Sequence, residues 1–284
     1  EWASQKQPGG SGGCAWREAE SWAPSPCVVR PASEDASLAK AVAKLSQLPA
    51  GSLAAVVTFQ GSFCPVTRGH VMCVVRAREL LLGVDHRGEP WVPPELERFA
   101  EVVALMGCNS ERHVGRKLAP LPAISLEDRE RLVDAAAEDF DWLHSHRQVY
   151  GAVDSLREAF PELRLKHYIV DGADAALWTK PWRRVSDDCR SILIERPAEE
   201  GKDNGTGALR RAMAKDVAGA ASTAWCLLCP EMSAISSSAA RAALLAEDRE
   251  ASEALLHPKV LEWALRDGPY RRCTPREAPP SDAG

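Results

Sequence analysis

The chain has 284 residues, 45% of them hydrophobic, and a formal net charge of −5. That size and apolar content are enough for one large core or two small ones, and the acidic balance argues against a general nucleic-acid binder, whose footprint is basic. No run approaches the roughly 18 apolar residues of a membrane span and no secretory leader is evident; an intracellular setting, cytoplasmic or nuclear, is expected, with organelle targeting left open because the sequence starts at Glu1. Nine cysteines (Cys14, Cys27, Cys64, Cys73, Cys108, Cys189, Cys226, Cys229 and Cys273) are odd in number and irregularly spaced, and read as reduced, mostly buried thiols.

Residues 1–36 are rich in Gly, Ser, Pro and Trp without a period and are expected to have little order. Ser37 to Leu48 has helical spacing (Leu38, Val42, Leu45, Leu48), so residues 1–50 read as an extension carrying one helix that packs on a main domain. The domain, 51–270, alternates. Leu53–Phe59 is a buried-strand run and Val71–Leu82 a helix; a Gly/Pro-containing linker, 83–94, leads to a strand at Glu101–Met106. Ser125 to Asp128 is a helix start with a capping residue, and the helix runs to about Asp139. Leu143–Tyr150 reads as a short strand, Val153–Phe160 as a helix, Leu165–Val170 and Ser191–Glu195 as strands. A polar loop at 197–207 is followed by a helix at Leu209–Asp216, a strand at Thr223–Cys229, and helices at Ser236–Ala246 and Pro258–Arg266. Residues 271–284 read as a disordered tail. This alternation predicts an α/β fold, a Rossmann-like, doubly wound parallel sheet with helices on both faces, and puts the motifs at 60–70, 107–117 and 171–174 along the carboxyl edge of its strands.

Two motifs carry chemistry. The first, Gly61-Ser62-Phe63-Cys64-Pro65-Val66-Thr67-Arg68-Gly69-His70, follows a strand and opens a helix. Such a turn exposes backbone N–H groups to an anion, with no Cβ at Gly61 to obstruct the approach of Ser62 and Phe63. Thr67 and His70, three apart, can face one anion from the first helical turn. The second, Ile235-Ser236-Ser237-Ser238-Ala239-Ala240-Arg241, again follows a strand. Its hydroxyls can cap orphan N–H groups or hold phosphate oxygens, and Arg241 adds a forked donor about one turn on. Two weaker patterns accompany them. Cys226-Leu-Leu-Cys229 has redox-motif spacing but lies in an apolar run and reads as core, while His144-Ser-His146 has alternating spacing without a partner nearby and reads as an exposed loop.

Together the motifs resemble the two signatures of the adenylyl/cytidylyltransferase superfamily, and within it the nicotinamide/nicotinate mononucleotide adenylyltransferases. Further similar segments follow in order: Gly107-Cys-Asn-Ser to Lys117-Leu118, Ser125-x-x-Asp128-Arg129 with Trp142 after it, Gly172-Ala173-Asp174 with Trp178 and Trp182, and His257-Pro258 to Tyr270. Cys64 stands where the family has Asn, Asp128 where it has His, and Arg147 where a second aromatic is expected. The resemblance implies joining of ATP and a pyridine mononucleotide to give NAD or deamido-NAD and pyrophosphate, with Mg²⁺ carried by ATP rather than by a metal site of the protein. Nucleic acid and membrane are not expected partners; a homo-oligomer is compatible. The implied catalytic residues are His70, Thr67 and Arg241, the ATP-binding ones Gly61, Ser62, Phe63, Lys117, Ile235, Ser236 and Ser237, and the mononucleotide-binding ones Gly172, Asp174, Trp142 and Trp182. The alternatives are a pantetheine-phosphate or FAD-forming relative, a cytidylyltransferase, or a catalytically degenerate nucleotide-binding or chaperone-like module.

Overall fold

The computed structural model describes residues 35–84, 97–195, 197–198, 201, 203–217, 226–229 and 236–270. The first 34 residues, the 271–284 tail, Thr223 and Ile235 lie outside the described residues. Six strands form one parallel sheet: β1 (Leu53–Gly61), β2 (Glu101–Cys108), β3 (Leu143–Ser145), β4 (Arg164–Gly172), β5 (Cys189–Ile194) and β6 (Cys226–Cys229). Their order is β3-β2-β1-β4-β5-β6. The chain reverses direction across the sheet between β1 and β4, the place where ligands of doubly wound folds bind beyond the strand ends.

The helices, in chain order, are α1 (Ala39–Leu45), α2 (Arg68–Leu82), α3 (Glu111–Leu118), α4 (Leu126–Ala136), α5 (Val149–Ala159), α6 (Ala173–Thr179), α7 (Thr206–Val217), α8 (Ser237–Leu245), α9 (Arg249–Leu255) and α10 (Pro258–Arg266). They cover both faces, so the strands read as nearly unbroken apolar runs; Ala54 to Val57 are all 0% exposed. Ala55, Val57, Ala104, Met106 and Val170 face α2, α4, α8 and α10. Ala54, Val56, Val103 and Leu105 face α1 and α5 on the other side, where Ala173, Leu193 and Cys226 pack with α6 and α7. None of the described helices is long and apolar enough to cross a membrane.

The sheet and its longer helices match the sequence pattern, and the differences are local. Helices α3, α6 and α9 were not anticipated; at eight, seven and seven residues each shows too few apolar repeats for a period to emerge. β3 is three residues long rather than extending to Tyr150, because Gln148 N–H donates to His146 Nδ1 (3.0 Å) and turns the chain into α5 at Val149. α1 is integral to the core: Leu38, Ala41 and Leu45 are buried, and the Lys40 ammonium donates to the carbonyls of Phe140 (2.8 Å) and Leu143 (3.1 Å). Cys226 and Cys229 project from opposite faces of β6, one among Trp182, Leu209 and Met213, the other among the α2 and α8 side chains. Burial pushes both thiols up to about 12. They are core residues, not a redox pair.

One buried ionisable group stands out on the α5 face. His167 of β4 has Nε2 2.8 Å from Thr58 Oγ1 and Nδ1 3.7 Å from Cys189 Sγ. Burial, and then the charge of Arg157, bring its pKa down to about 4. The unfolded chain takes up this proton near pH 6.5 and the folded chain does not, so the stability conferred by neutral His167 is complete above that pH and is lost as pH falls towards 4. His167→Gln is therefore expected to narrow its stability gap to the wild type by about 2–3 kcal/mol between neutral pH and about pH 4.5, measured by denaturant unfolding at both.

Candidate functional site

The turn joining β1 to α2 is built from inside. Phe63 adopts a positive φ of 43°, an uncommon conformation for a side-chain-bearing residue, and its ring folds back over Gly61, where a Cβ would lie 2.6 Å from Phe63 Cε1. The space that the missing Cβ opens is thus filled by this ring and not by a ligand, which corrects the expected reason for Gly61. The ring stacks edge-on against Phe59 (centroids 5.4 Å) and His70 (5.1 Å). Cys64, the departure from the family pattern, is 0% exposed and points into the body of the domain. Its sulfur accepts from Ile124 N–H (3.2 Å) and lies 3.2 Å from the Tyr270 hydroxyl, whose own proton goes to the Pro122 carbonyl (2.8 Å).

His70, in the first turn of α2, is held in one tautomer. Its Nδ1 accepts from Thr67 N–H (3.0 Å) and lies 2.8 Å from Thr67 Oγ1. An Nδ1 that accepts an N–H carries no proton, so the neutral ring bears its proton on Nε2. Neutrality is assured because burial, followed by the charge of Lys117, lowers the pKa to about 4. Lys117, exposed near the end of α3, is thus near enough for its charge to act on His70. Thr67 is 1% exposed and caps α2 in a reciprocal arrangement with His70. It holds the imidazole in place and does not itself reach outward, contrary to the role expected for it.

The second motif meets the first directly. Ser237 Oγ donates to the Pro65 carbonyl (2.8 Å) and Arg241 Nη1 to the Cys64 carbonyl (2.9 Å), across 172 and 177 positions. Arg241 Nη2 also donates to Ser238 Oγ (3.1 Å), and Ser236 Oγ caps α8 by accepting from Ala239 N–H (3.2 Å). Each serine thus has a distinct task. Ile235 lies outside the described residues.

At the end of β4, Gly172 caps α6 and Asp174 lies exposed in its first turn. Asp171, which the sequence reading passed over, is brought up to about 6 by burial and then by the neighbouring Asp174 charge. Its only sequence signal was an acid at a strand end beside Gly-Ala-Asp. Neither expected aromatic platform lines the edge. Trp142 is 7% exposed, packed on Phe140 (5.2 Å) beneath the Arg78 guanidinium (4.8 Å) at the start of β3. Trp182 is 1% exposed with its Nε1–H on Asp216 (3.1 Å). Among the described residues the exposed aromatics are Trp178 on α6, at 84%, and Tyr150 on α5, at 46%. Asp128 accepts from Ser125 Oγ (2.7 Å) and pairs with Arg131, closing the α4 cap. His144 and His146 contact Asp134 and Asp35 separately, and among the described residues no three His, Cys, Asp or Glu side chains cluster as metal ligands.

The solved structures to which this chain is similar include two of one enzyme. Both are Plasmodium falciparum nicotinic acid mononucleotide adenylyltransferase, one complexed with NaAD (TM-score 0.46, covering 76% of this chain and 97% of that one) and one with APC (TM-score 0.47, 76% and 96%), each at 15% identity. No family model matches the chain, and no curated protein matches it.

Two outcomes follow from this geometry. Trp142→Ala and Trp182→Ala should each cost about 3–5 kcal/mol of stability, as buried aromatic truncations do, in denaturant unfolding. The His70 imidazole should titrate near pH 4 by NMR, so any activity that depends on its neutral form holds steady from pH 8 to 5 and declines as pH falls through about 4.

Proposed function

We propose that this protein is an adenylyltransferase that joins ATP to nicotinamide or nicotinate mononucleotide, forming NAD or deamido-NAD and releasing pyrophosphate. The observation that carries the reading is the meeting of the two motifs: Ser237 and Arg241 hydrogen-bond the first turn at 2.8 and 2.9 Å, with a neutral His70 beside them. Phosphate is already a nucleophile at neutral pH, so the reaction needs no covalent intermediate and no strong base; it needs two anions placed in line and their charge stabilised.

The chain's own groups fit those tasks. The His70 Nε2–H donates to the α-phosphate undergoing attack. Lys117, Ser236 and Arg241 hold the β- and γ-phosphates that leave, and backbone N–H groups of the first turn complete the cradle. Asp174 accepts from a ribose hydroxyl. The pyridine ring rests on one of the exposed aromatics, Tyr150 or Trp178, in place of the buried Trp142 and Trp182. Mg²⁺ carried by the ATP phosphates would supply charge withdrawal from them.

Purified protein supplied with ATP, Mg²⁺ and either mononucleotide is expected to release pyrophosphate and form the dinucleotide. His70→Ala should lower that rate by roughly a hundredfold or more, the usual cost of removing a transition-state donor. Absence of product from both mononucleotides would overturn the reading.

A further inference from the structure

Arg129, near the start of α4, is 0% exposed and forms no ion pair among the described residues. Its guanidinium instead serves three backbone carbonyls from separate segments: Nε donates to Ile124 (3.1 Å), and Nη1 to both Ser62 (3.0 Å) and Asn109 (2.8 Å). Ser62 is in the turn after β1 and Asn109 follows the last residue of β2, so a single nitrogen links the carboxyl ends of two adjacent strands. Nη2 has no hydrogen-bond partner, and neither has the buried Ser62 Oγ.

A buried cation without a carboxylate costs several kcal/mol unless something else compensates it. The carbonyls it binds compensate only in part, and they also determine the direction of other groups. Across a planar trans peptide, the C=O and the following N–H point in opposite directions. With the Ser62 carbonyl drawn to Arg129, the N–H of Phe63 points away from the guanidinium, in a residue that as a whole is 1% exposed. With the Asn109 carbonyl drawn to the same nitrogen, the N–H of Ser110 points away from it as well. Ser110 is the N-cap of α3, and α3 carries Lys117 in its last turn. Among the described residues neither amide meets an acceptor. Two N–H donors from adjacent strand ends, backed by a buried positive charge, form a seat for an anionic group.

We propose that Arg129 is a positioning residue for the ATP phosphates: it never touches the nucleotide, and acts by aiming the Phe63 and Ser110 amides at it. This rests on the adenylyltransferase reading. The mononucleotide, held from the β4 side, does not depend on it. Lysine at position 129 keeps the charge but cannot fork to three carbonyls.

The test uses the full chain as Arg129→Lys and, separately, Ser110→Pro, which deletes one of the two amides at a residue whose φ of −57° already suits proline. Both variants are expected to raise KM for ATP about tenfold, the effect of a misdirected hydrogen bond to a charged group, with KM for the mononucleotide changed less than about twofold. Titration calorimetry with ATP alone should show the same loss of affinity. That second measurement separates this inference from the proposed reaction, because weakened ATP binding in the variants supports the Arg129 role even if no dinucleotide forms. A lowered melting temperature with unchanged ATP affinity in both variants would make Arg129 a purely structural residue and overturn the proposal; so would an equal rise in both KM values.

Discussion

The structure depends on how three backbone carbonyls in one short turn are satisfied. Between β1 and α2 the chain leaves the sheet, and its peptide groups would be buried without partners at the sheet's carboxyl edge. Arg129 takes the Ser62 carbonyl from one side, while Arg241 and Ser237 take those of Cys64 and Pro65 from the other. Buried carbonyls must be paired, and here the donors come from α4 and α8, elements far apart in sequence. The same pairing that stabilises the turn therefore also ties α4 and α8 to the end of β1.

Charge differs along the carboxyl edge of the sheet. Lys117, Arg129 and Arg241 lie towards the β1 and β2 end, and the Lys117 charge adds to burial in lowering the His70 pKa. At the end of β4, burial and then the neighbouring Asp174 charge raise the Asp171 pKa to about 6. The edge is thus cationic at one end and acidic at the other, a separation that the proposed nucleotide substrate would meet with its phosphates and its ribose respectively. The net charge of the whole chain, −5, conceals this separation.

Much of the architecture was legible in the residue pattern because burial on both sheet faces leaves an unmistakable mark. Ala54 to Val57 or Val102 to Met106 admit no solvated face, and alternation with amphipathic segments leaves a parallel sheet as the simplest arrangement. The short helices α3, α6 and α9 carried too few repeats to register. The phosphate-type motifs were legible for a related reason: glycine, serine and threonine at a strand–helix junction have local consequences that sequence spacing expresses.

Side-chain direction was not legible. Thr67, Trp142 and Trp182 were expected to meet a ligand, and all three are buried; so is Cys64, whose partners Ile124 and Tyr270 lie 60 and 206 positions away. By itself the sequence determined the longer elements, the parallel sheet and the two Gly- and Ser-bearing strand–helix junctions, since these depend on local propensity and hydrophobic period. Tertiary structure alone decided that the motifs meet, that His70 is a neutral Nε2–H tautomer, and that the unpaired Arg129 lies behind the turn. Those properties depend on which groups exclude water from one another, and that is settled only when distant segments pack.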